Sequence, residues 1–179
     1  MPKGAVGGGT CKRGDSVVDS EYECIPVGVA EYAVTGETRP LKTSGVGSCV
    51  AVALHDPDHE VSGLLHFMLP ESDSRTRPEP DAKFADTGLE AMLDEFEREG
   101  GVPDRSWAKL VGGATMIEFS GAGGSIGDQN VAAAKALLEA YGIPVRAVEV
   151  GGSAGRSITF DPSSGDVVIR TAGGTIVRK

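Results

Sequence analysis

The stretch "CVAVALHDPDHEVSGLLH", from Cys49 to His66, holds two runs of small and branched apolar residues separated by a polar turn. The turn letters "DPDH", Asp56 to His59, are typical of a tight connection between antiparallel strands. The simplest register of this hairpin places Cys49 opposite His66 and Val50 opposite Leu65. Because cross-strand neighbours have Cβ atoms about 4.5–5.5 Å apart, the hairpin predicts a thiol facing an imidazole.

A cysteine and a histidine in this arrangement have the chemistry of an amide or acyl hydrolase. A neighbouring imidazolium stabilises a thiolate, the thiolate attacks an acyl carbon, and the histidine then protonates the leaving group. A third group has to orient the imidazole. Thr43, on the segment that enters the glycine turn before Cys49, is within reach of His66. Gly47 and Ser48 are expected to shape the turn beside the substrate.

Residue type alone leaves other interpretations open. Cysteine is among the most buried residues and is usually inert, and a core histidine with one hydrogen bond is equally ordinary. A zinc site formed by the cysteine and the three histidines (Cys49, His55, His59 and His66) lacks the close-spaced ligand pairs of known zinc motifs. The stretch "GAGGSIG" matches neither a P-loop nor a dinucleotide fingerprint, which favours a structural loop before a helix.

Composition narrows the class of protein. The chain has 179 residues, of which 40% are hydrophobic, which suits a globular fold of one domain. Its net charge of -9 argues against a nucleic-acid partner. No run of 18 or more apolar residues is present, so insertion into a membrane is not expected. The first residues lack an apolar signal region, and we therefore expect a cytoplasmic protein.

The pattern along the chain predicts a flexible N-terminal arm, residues 1–26, and a single domain, residues 27–179. The arm is rich in glycine and carries Cys11 and Cys24, for which the sequence shows no partner. After the arm, apolar alternation predicts a strand over Ile25–Val34.

Two helices and a terminal hairpin follow. The first helix has apolar residues at helical spacing around Met92 and stops at Gly100, and the second has Asp128 as a candidate N-cap and stops at Gly142. "VRAVEV" predicts a strand, and "SITFD" with "DVVIRT" predicts the hairpin. Strands and intervening helices together indicate a mixed α/β or α+β fold.

Five blocks of the chain resemble the CheD family of chemoreceptor glutamine deamidases. They are "GVGSCVAV", "HFMLP", "KLVGGATM", "SIGDQN" and "VGGSAGRSI", in the family's order, and the resemblance covers about Val27 to Arg170. In that family a cysteine is the nucleophile, a histidine 17 residues later is its base, and a threonine six residues before the cysteine is the third member. The resemblance assigns these roles to Cys49, His66 and Thr43.

The resemblance implies hydrolysis of glutamine side chains to glutamate on methyl-accepting chemotaxis receptors, without a cofactor. It also implies an α+β fold of two packed mixed β-sheets flanked by helices, similar to the catalytic domain of the cytotoxic necrotizing factors. A CheC-type phosphatase is the further partner that it implies. Two alternatives remain: a regulatory module that binds this phosphatase with little catalysis, and a thiol hydrolase of small amides.

Overall fold

The computed structural model describes residues 9–12, 21–73, 78–115 and 124–179. These residues form eleven strands and two α-helices. The strands are β1 (Gly9–Lys12), β2 (Glu21–Pro26), β3 (Glu31–Thr35), β4 (Leu41–Val46), β5 (Val50–Asp56), β6 (Val61–Phe67), β7 (Trp107–Gly112), β8 (Val145–Val150), β9 (Arg156–Phe160), β10 (Val167–Thr171) and β11 (Ile176–Arg178). The helices are α1 (Ala85–Arg98) and α2 (Ile126–Ala140). In the described ranges, no helix is long and apolar enough to cross a membrane.

The strands form two mixed sheets. The first sheet has the order β1-β2-β4-β9-β10-β11 and the second has the order β3-β6-β5-β7-β8. Each contains one parallel pair, β2 with β4 and β7 with β8, among antiparallel neighbours. The prediction of an α+β fold with two mixed sheets is confirmed, as are strand β8 and the terminal hairpin of β9 and β10.

The second sheet is the middle layer of the molecule. One of its faces packs on the first sheet through a cluster that includes Ala51, Leu64 and Phe160. Its other face packs on both helices through a cluster that includes Val52, Leu65 and Met92. Because alternate residues of a strand point to opposite faces, the even-numbered residues of β6, among them His66, point between the sheets.

The hairpin of β5 and β6 forms as predicted, but the predicted register is wrong by two residues. Ala51, not Cys49, lies opposite His66, and Val50 pairs with Phe67. A shift of two residues leaves every side chain on the same face of the sheet. Cys49 therefore stays on the face of His66 and becomes its diagonal neighbour.

The turn of this hairpin explains the register. Asp56 belongs to strand β5 and pairs with Val61, so the turn consists of residues 57–60. The buried carboxylate of Asp56 accepts hydrogen bonds from the backbone N–H groups of Asp58 and His59, at 3.0 and 3.2 Å. Glu60 closes the turn with a φ of 56°. Turn propensity did not reveal that Asp56 would serve as a strand residue and a cap at once.

Two other local predictions differ from the structure. The strand predicted over Ile25–Val34 is interrupted between Pro26 and Glu31, where Ala30 has a φ of 58°. Helix α2 starts at a different cap: Ser125 is the N-cap, and Asp128 is the third helical residue of a reciprocal capping box. The predicted stops are confirmed, since Gly100 and Gly142 follow the two helices with φ values of 96° and 71°.

The division into an arm and a domain at residue 26 stays a prediction, but the end of the predicted arm is built into the fold. Strand β2 pairs with β4, and Cys24 and Ile25 are buried. The expectation of unpartnered cysteines is wrong for Cys24, which is disulfide-bonded. The side chain of Cys11 lies outside the described residues, as do residues 1–8 and 13–20.

Candidate active site

Three strands bring the predicted site residues together. Thr43 lies on β4 in the first sheet, His66 lies on β6 in the second sheet, and Cys49 lies directly before β5. The second half of β4 is bent, with a register shift after Thr43 and a φ of 74° at Gly45. Gly47 and Ser48 form the bend that ends at the cysteine and are both half-buried.

Thr43 and His66 are in direct contact across the two sheets. The hydroxyl Oγ1 of Thr43 lies 2.7 Å from Nδ1 of His66. The imidazole is completely buried and the threonine is 2% exposed. Among the residues that the structure describes, Nε2 of His66 has no hydrogen-bond partner. The threonine hydroxyl therefore fixes the ring through one nitrogen and leaves the other available for chemistry.

Cys49 is a half-buried free thiol and makes no hydrogen bond to His66 in the described part of the chain. Diagonal neighbours on antiparallel strands lie about 7–8 Å apart, within reach of a rotating side chain. Cys49 and His66 therefore lie on the same face of the second sheet, at the end of the hairpin away from its turn.

Both groups are uncharged in the resting protein at neutral pH. Burial raises the pKa of the Cys49 thiol, and a hydrogen bond from its own backbone N–H offsets this only in part. Burial lowers the pKa of His66 to about 4. Burial of both side chains therefore opposes the preformed thiolate–imidazolium pair that the sequence suggested, and that pair stays a prediction.

The backbone around Cys49 is held by the end of β7. Gly113 N–H donates to the carbonyl of Cys49, and Ala114 N–H donates to the carbonyl of Gly47, both at 2.8 Å. At Gly112, where φ is 124°, a Cβ atom would lie 2.3 Å from the Cys49 carbonyl oxygen. Only glycine permits this approach, which gives the glycine pair of "KLVGGATM" a structural reason.

Two buried polar residues that the sequence did not single out lie against the same backbone. Asn130 donates from Nδ2 to the carbonyls of Ser48 and Met68, and Arg156 donates from Nη1 and Nη2 to those of Gly112 and Gly151. They belong to the blocks "SIGDQN" and "VGGSAGRSI". Their position in these blocks was the only available signal, because a polar residue inside a helix or strand does not reveal its burial.

The other two histidines do not join the site. Nδ1 of His55 lies 2.8 Å from Ser62 Oγ near the far end of β5, and Nδ1 of His59 lies 2.8 Å from Asp56 Oδ2 in the turn. Within the described ranges, no group of three or more His, Cys, Asp or Glu residues is arranged to hold a metal ion. The zinc interpretation therefore has no support from the geometry.

A family model described as "CheD chemotactic sensory transduction" matches residues 68–171, more than half of the chain. The chain belongs to the CheD family. The matched range begins two residues after His66, so the family model itself does not include the three candidate residues.

Similar CheD proteins extend over the candidate site. The chain is 48% identical over 153 residues to the "Probable chemoreceptor glutamine deamidase CheD" of Desulforamulus reducens, covering 83% of this chain and 91% of the relative. It is 39% identical over 158 residues to the protein of the same name from Haloarcula marismortui, covering 88% and 91%. Each alignment covers a larger share of the chain than residues 43–179 make up. Both alignments therefore begin before Thr43 and include the segment from Thr43 to His66.

The pH dependence of Cys49 alkylation tests the neutral resting state. Because burial raises the thiol pKa, the rate of Cys49 modification by iodoacetamide should rise with a midpoint above that of a free cysteine in the same buffer. Peptide mass spectrometry after timed quenching measures the rate, and the Cys49→Ala variant identifies background labelling. A midpoint below pH 8 would contradict the neutral pair and indicate a stabilised thiolate.

Proposed function

We propose that this chain hydrolyses glutamine side chains of methyl-accepting chemotaxis receptors to glutamate, with Cys49 as nucleophile, His66 as base and Thr43 as the residue that orients the base. The chain is a glutamine deamidase by its CheD family membership, and its relatives carry that activity in their names. The observation that supports these roles is the Thr43–His66 contact, which leaves Nε2 free beside a free thiol.

The first half of the reaction forms a thioester. As Sγ of Cys49 attacks the side-chain carbonyl carbon of glutamine, the thiol proton passes to Nε2 of His66. The imidazolium then gives this proton to the amide nitrogen, the carbon–nitrogen bond breaks, and ammonia leaves. A neutral thiol and a neutral imidazole are the protonation states that this sequence requires at the start.

The second half restores the enzyme. Water attacks the thioester carbon and gives a proton to Nε2 of His66, and the carbon–sulfur bond breaks. The proton on His66 returns to the sulfur, and the product is a glutamate side chain. One water is consumed and one ammonia is released for each glutamine, and no redox step occurs.

The contact with Thr43 accommodates Nε2 of His66 as the base, because the threonine hydroxyl can accept a hydrogen bond from Nδ1. For Nε2 to accept a proton, Nδ1 must carry one, and the Nδ1–H group then donates to Thr43 Oγ1 across the 2.7 Å contact. The same bond stabilises the imidazolium formed during the reaction. Since burial holds the pKa of His66 near 4, this support is needed when the ring is charged.

The substrate approaches from the Cys49 side, because His66 and Thr43 are buried. Near this end of the hairpin, Leu64 and Phe67 belong to the two cores, whereas Met68 is half-buried and able to contact a ligand. We propose a receptor helix in the cytoplasm as the ligand of this surface. The similarity of the fold to the cytotoxic necrotizing factor domain, inferred from the resemblance, also remains a proposal.

The deamidation assay tests the proposed reaction directly. Incubation of a receptor cytoplasmic fragment with the protein should raise the mass of specific glutamine peptides by about one dalton and release ammonia. Cys49→Ala should abolish both signals, because it removes the sulfur on which the thioester forms. Ammonia release by a folded Cys49→Ala variant would contradict the mechanism.

Thr43→Val should lower kcat by roughly 10- to 100-fold with little change in KM. The substitution keeps the shape of the side chain and removes the hydroxyl that holds His66, an effect that acts on the reaction more than on substrate binding. Initial rates of ammonia release provide both constants. Thr35→Val is the matched control, since Thr35 is also a buried strand threonine but hydrogen-bonds only the nearby Glu37 N–H. Equal rates for both variants would remove the Thr43 hydroxyl from the mechanism.

A CheC-type phosphatase is the second partner that we propose. We expect it to bind the surface beside Cys49, which is also the proposed binding surface for the receptor helix. If one helix-binding surface serves both ligands, added phosphatase should slow receptor deamidation in proportion to occupancy measured by calorimetry. Tight binding with an unchanged deamidation rate would place the phosphatase on another surface. A chain that binds the phosphatase and deamidates no receptor would favour the regulatory module instead.

A further inference from the structure

Asn130 is a completely buried polar residue on α2 that the proposed reaction does not use. Its side-chain nitrogen Nδ2 donates to the carbonyl oxygen of Ser48 at 2.9 Å and to that of Met68 at 2.8 Å. An amide nitrogen carries two hydrogens, so both are in use. The residue thus links two backbone segments that are far apart in the sequence.

The two acceptors also determine how the amide is oriented. Carbonyl oxygens accept hydrogen bonds and do not donate them, so the NH₂ group has to face both of them. The amide oxygen Oδ1 then points elsewhere and, among the described residues, is buried without a hydrogen-bond partner. That buried acceptor carries a cost, but an apolar side chain here would take away the donors of the Ser48 and Met68 carbonyls. The value of Asn130 therefore lies in the link between these two carbonyls.

The linked carbonyls lie where the hairpin ladder stops. Strands β5 and β6 pair from Asp56 opposite Val61 to Val50 opposite Phe67. Cys49 and Met68 come directly beyond that last pair, and Ser48 is the residue before Cys49. Asn130 continues the connection between the two chain segments past the end of the backbone ladder, at the position of the nucleophile.

Helix α2 is held in place to provide this link. A Cβ atom on Gly127 would lie 2.5 Å from the carbonyl oxygen of Gly113, so the first turn of α2 packs directly on the backbone that follows β7. The capping box of Ser125 and Asp128 fixes the start of the helix just before this contact. Asn130 therefore reaches the hairpin from a helix that is anchored on the backbone after β7 and that also packs on β5.

We propose that Asn130 is a positioning residue for deamidation: by bridging Ser48 and Met68, it holds the thiol of Cys49 at the distance from His66 that proton transfer and attack require. The inference rests on the proposed function for its catalytic consequence. Asn130 contacts the backbone on both sides of the site and acts on the reaction only through the placement of Cys49 and His66.

The test compares Asn130→Leu with Gln129→Leu in the full chain. Both remove an amide from the same turn of α2, but within the described ranges the Gln129 amide donates to the carbonyl of Gly124, at 3.4 Å, and not to Ser48 or Met68. Kinetics on the receptor fragment should show kcat reduced at least tenfold in Asn130→Leu, with KM within twofold of wild type, and both constants unchanged in Gln129→Leu. Rates are divided by the folded fraction, measured from thermal unfolding followed by near-UV circular dichroism.

Alkylation of Cys49 by iodoacetamide provides a second measurement that does not depend on deamidation. Loss of the link frees the bend that carries the half-buried thiol, so Asn130→Leu should react at least fivefold faster than wild type at fixed pH, while Gln129→Leu matches wild type. If wild type alkylates as expected but deamidates no receptor peptide, the proposed function fails and the alkylation comparison still decides whether Asn130 holds Cys49.

Three results would overturn the proposal: a wild-type kcat in folded Asn130→Leu, a rise in KM that accounts for the loss of activity, or an unchanged alkylation rate. If Asn130→Leu does not fold, Asn130→Ser replaces it, since serine is smaller and keeps one donor. Asn130→Ser should have an intermediate kcat and a faster alkylation rate than wild type, and wild-type values for both would equally overturn the proposal.

Discussion

The hydrogen bond between Thr43 and His66 joins the two sheets at the proposed active site. It requires β4 in the first sheet and β6 in the second to be packed in one relative position, because its length is 2.7 Å and both side chains are buried. The bend after Thr43 then returns the chain to Cys49, at the start of β5. The sandwich core, the bend and the hairpin all contribute to this one contact, so a change in sheet packing would move the base relative to the nucleophile.

Cys49, the proposed nucleophile, is positioned differently from His66, the proposed base. His66 is inside a regular ladder, whereas Cys49 lies just outside one and is held by contacts from β7 and α2. A residue at the end of a strand can be half-exposed while its backbone stays fixed by neighbours. This arrangement suits a glutamine on another protein, since the side chain of the substrate has to reach the sulfur while the base stays shielded from water.

The sequence predicted which face of the sheet carries Cys49 and His66, but it did not predict how deeply the site residues are buried. Alternation in β5 and β6 placed Cys49 and His66 on one face, and that placement survived a register error of two residues caused by the capping carboxylate of Asp56. The uncharged state of the pair was not foreseen, because local pattern does not reveal how deeply a histidine will be buried. Asn130 and Arg156 were missed for the same reason, since their partners are backbone carbonyls of distant segments.

Burial of both reacting groups has a consequence for selectivity. A thiolate is the form of cysteine that reacts with oxidants and small electrophiles, so raising the pKa of Cys49 keeps the resting enzyme unreactive toward them. Lowering the pKa of His66 to about 4 keeps Nε2 able to accept a proton throughout the neutral range. Charge separation then becomes favourable only as the sulfur forms a bond to an acyl carbon and transfers its proton. The same desolvation that suppresses the ion pair in the free protein thus restricts the reaction to a substrate held close enough to attack.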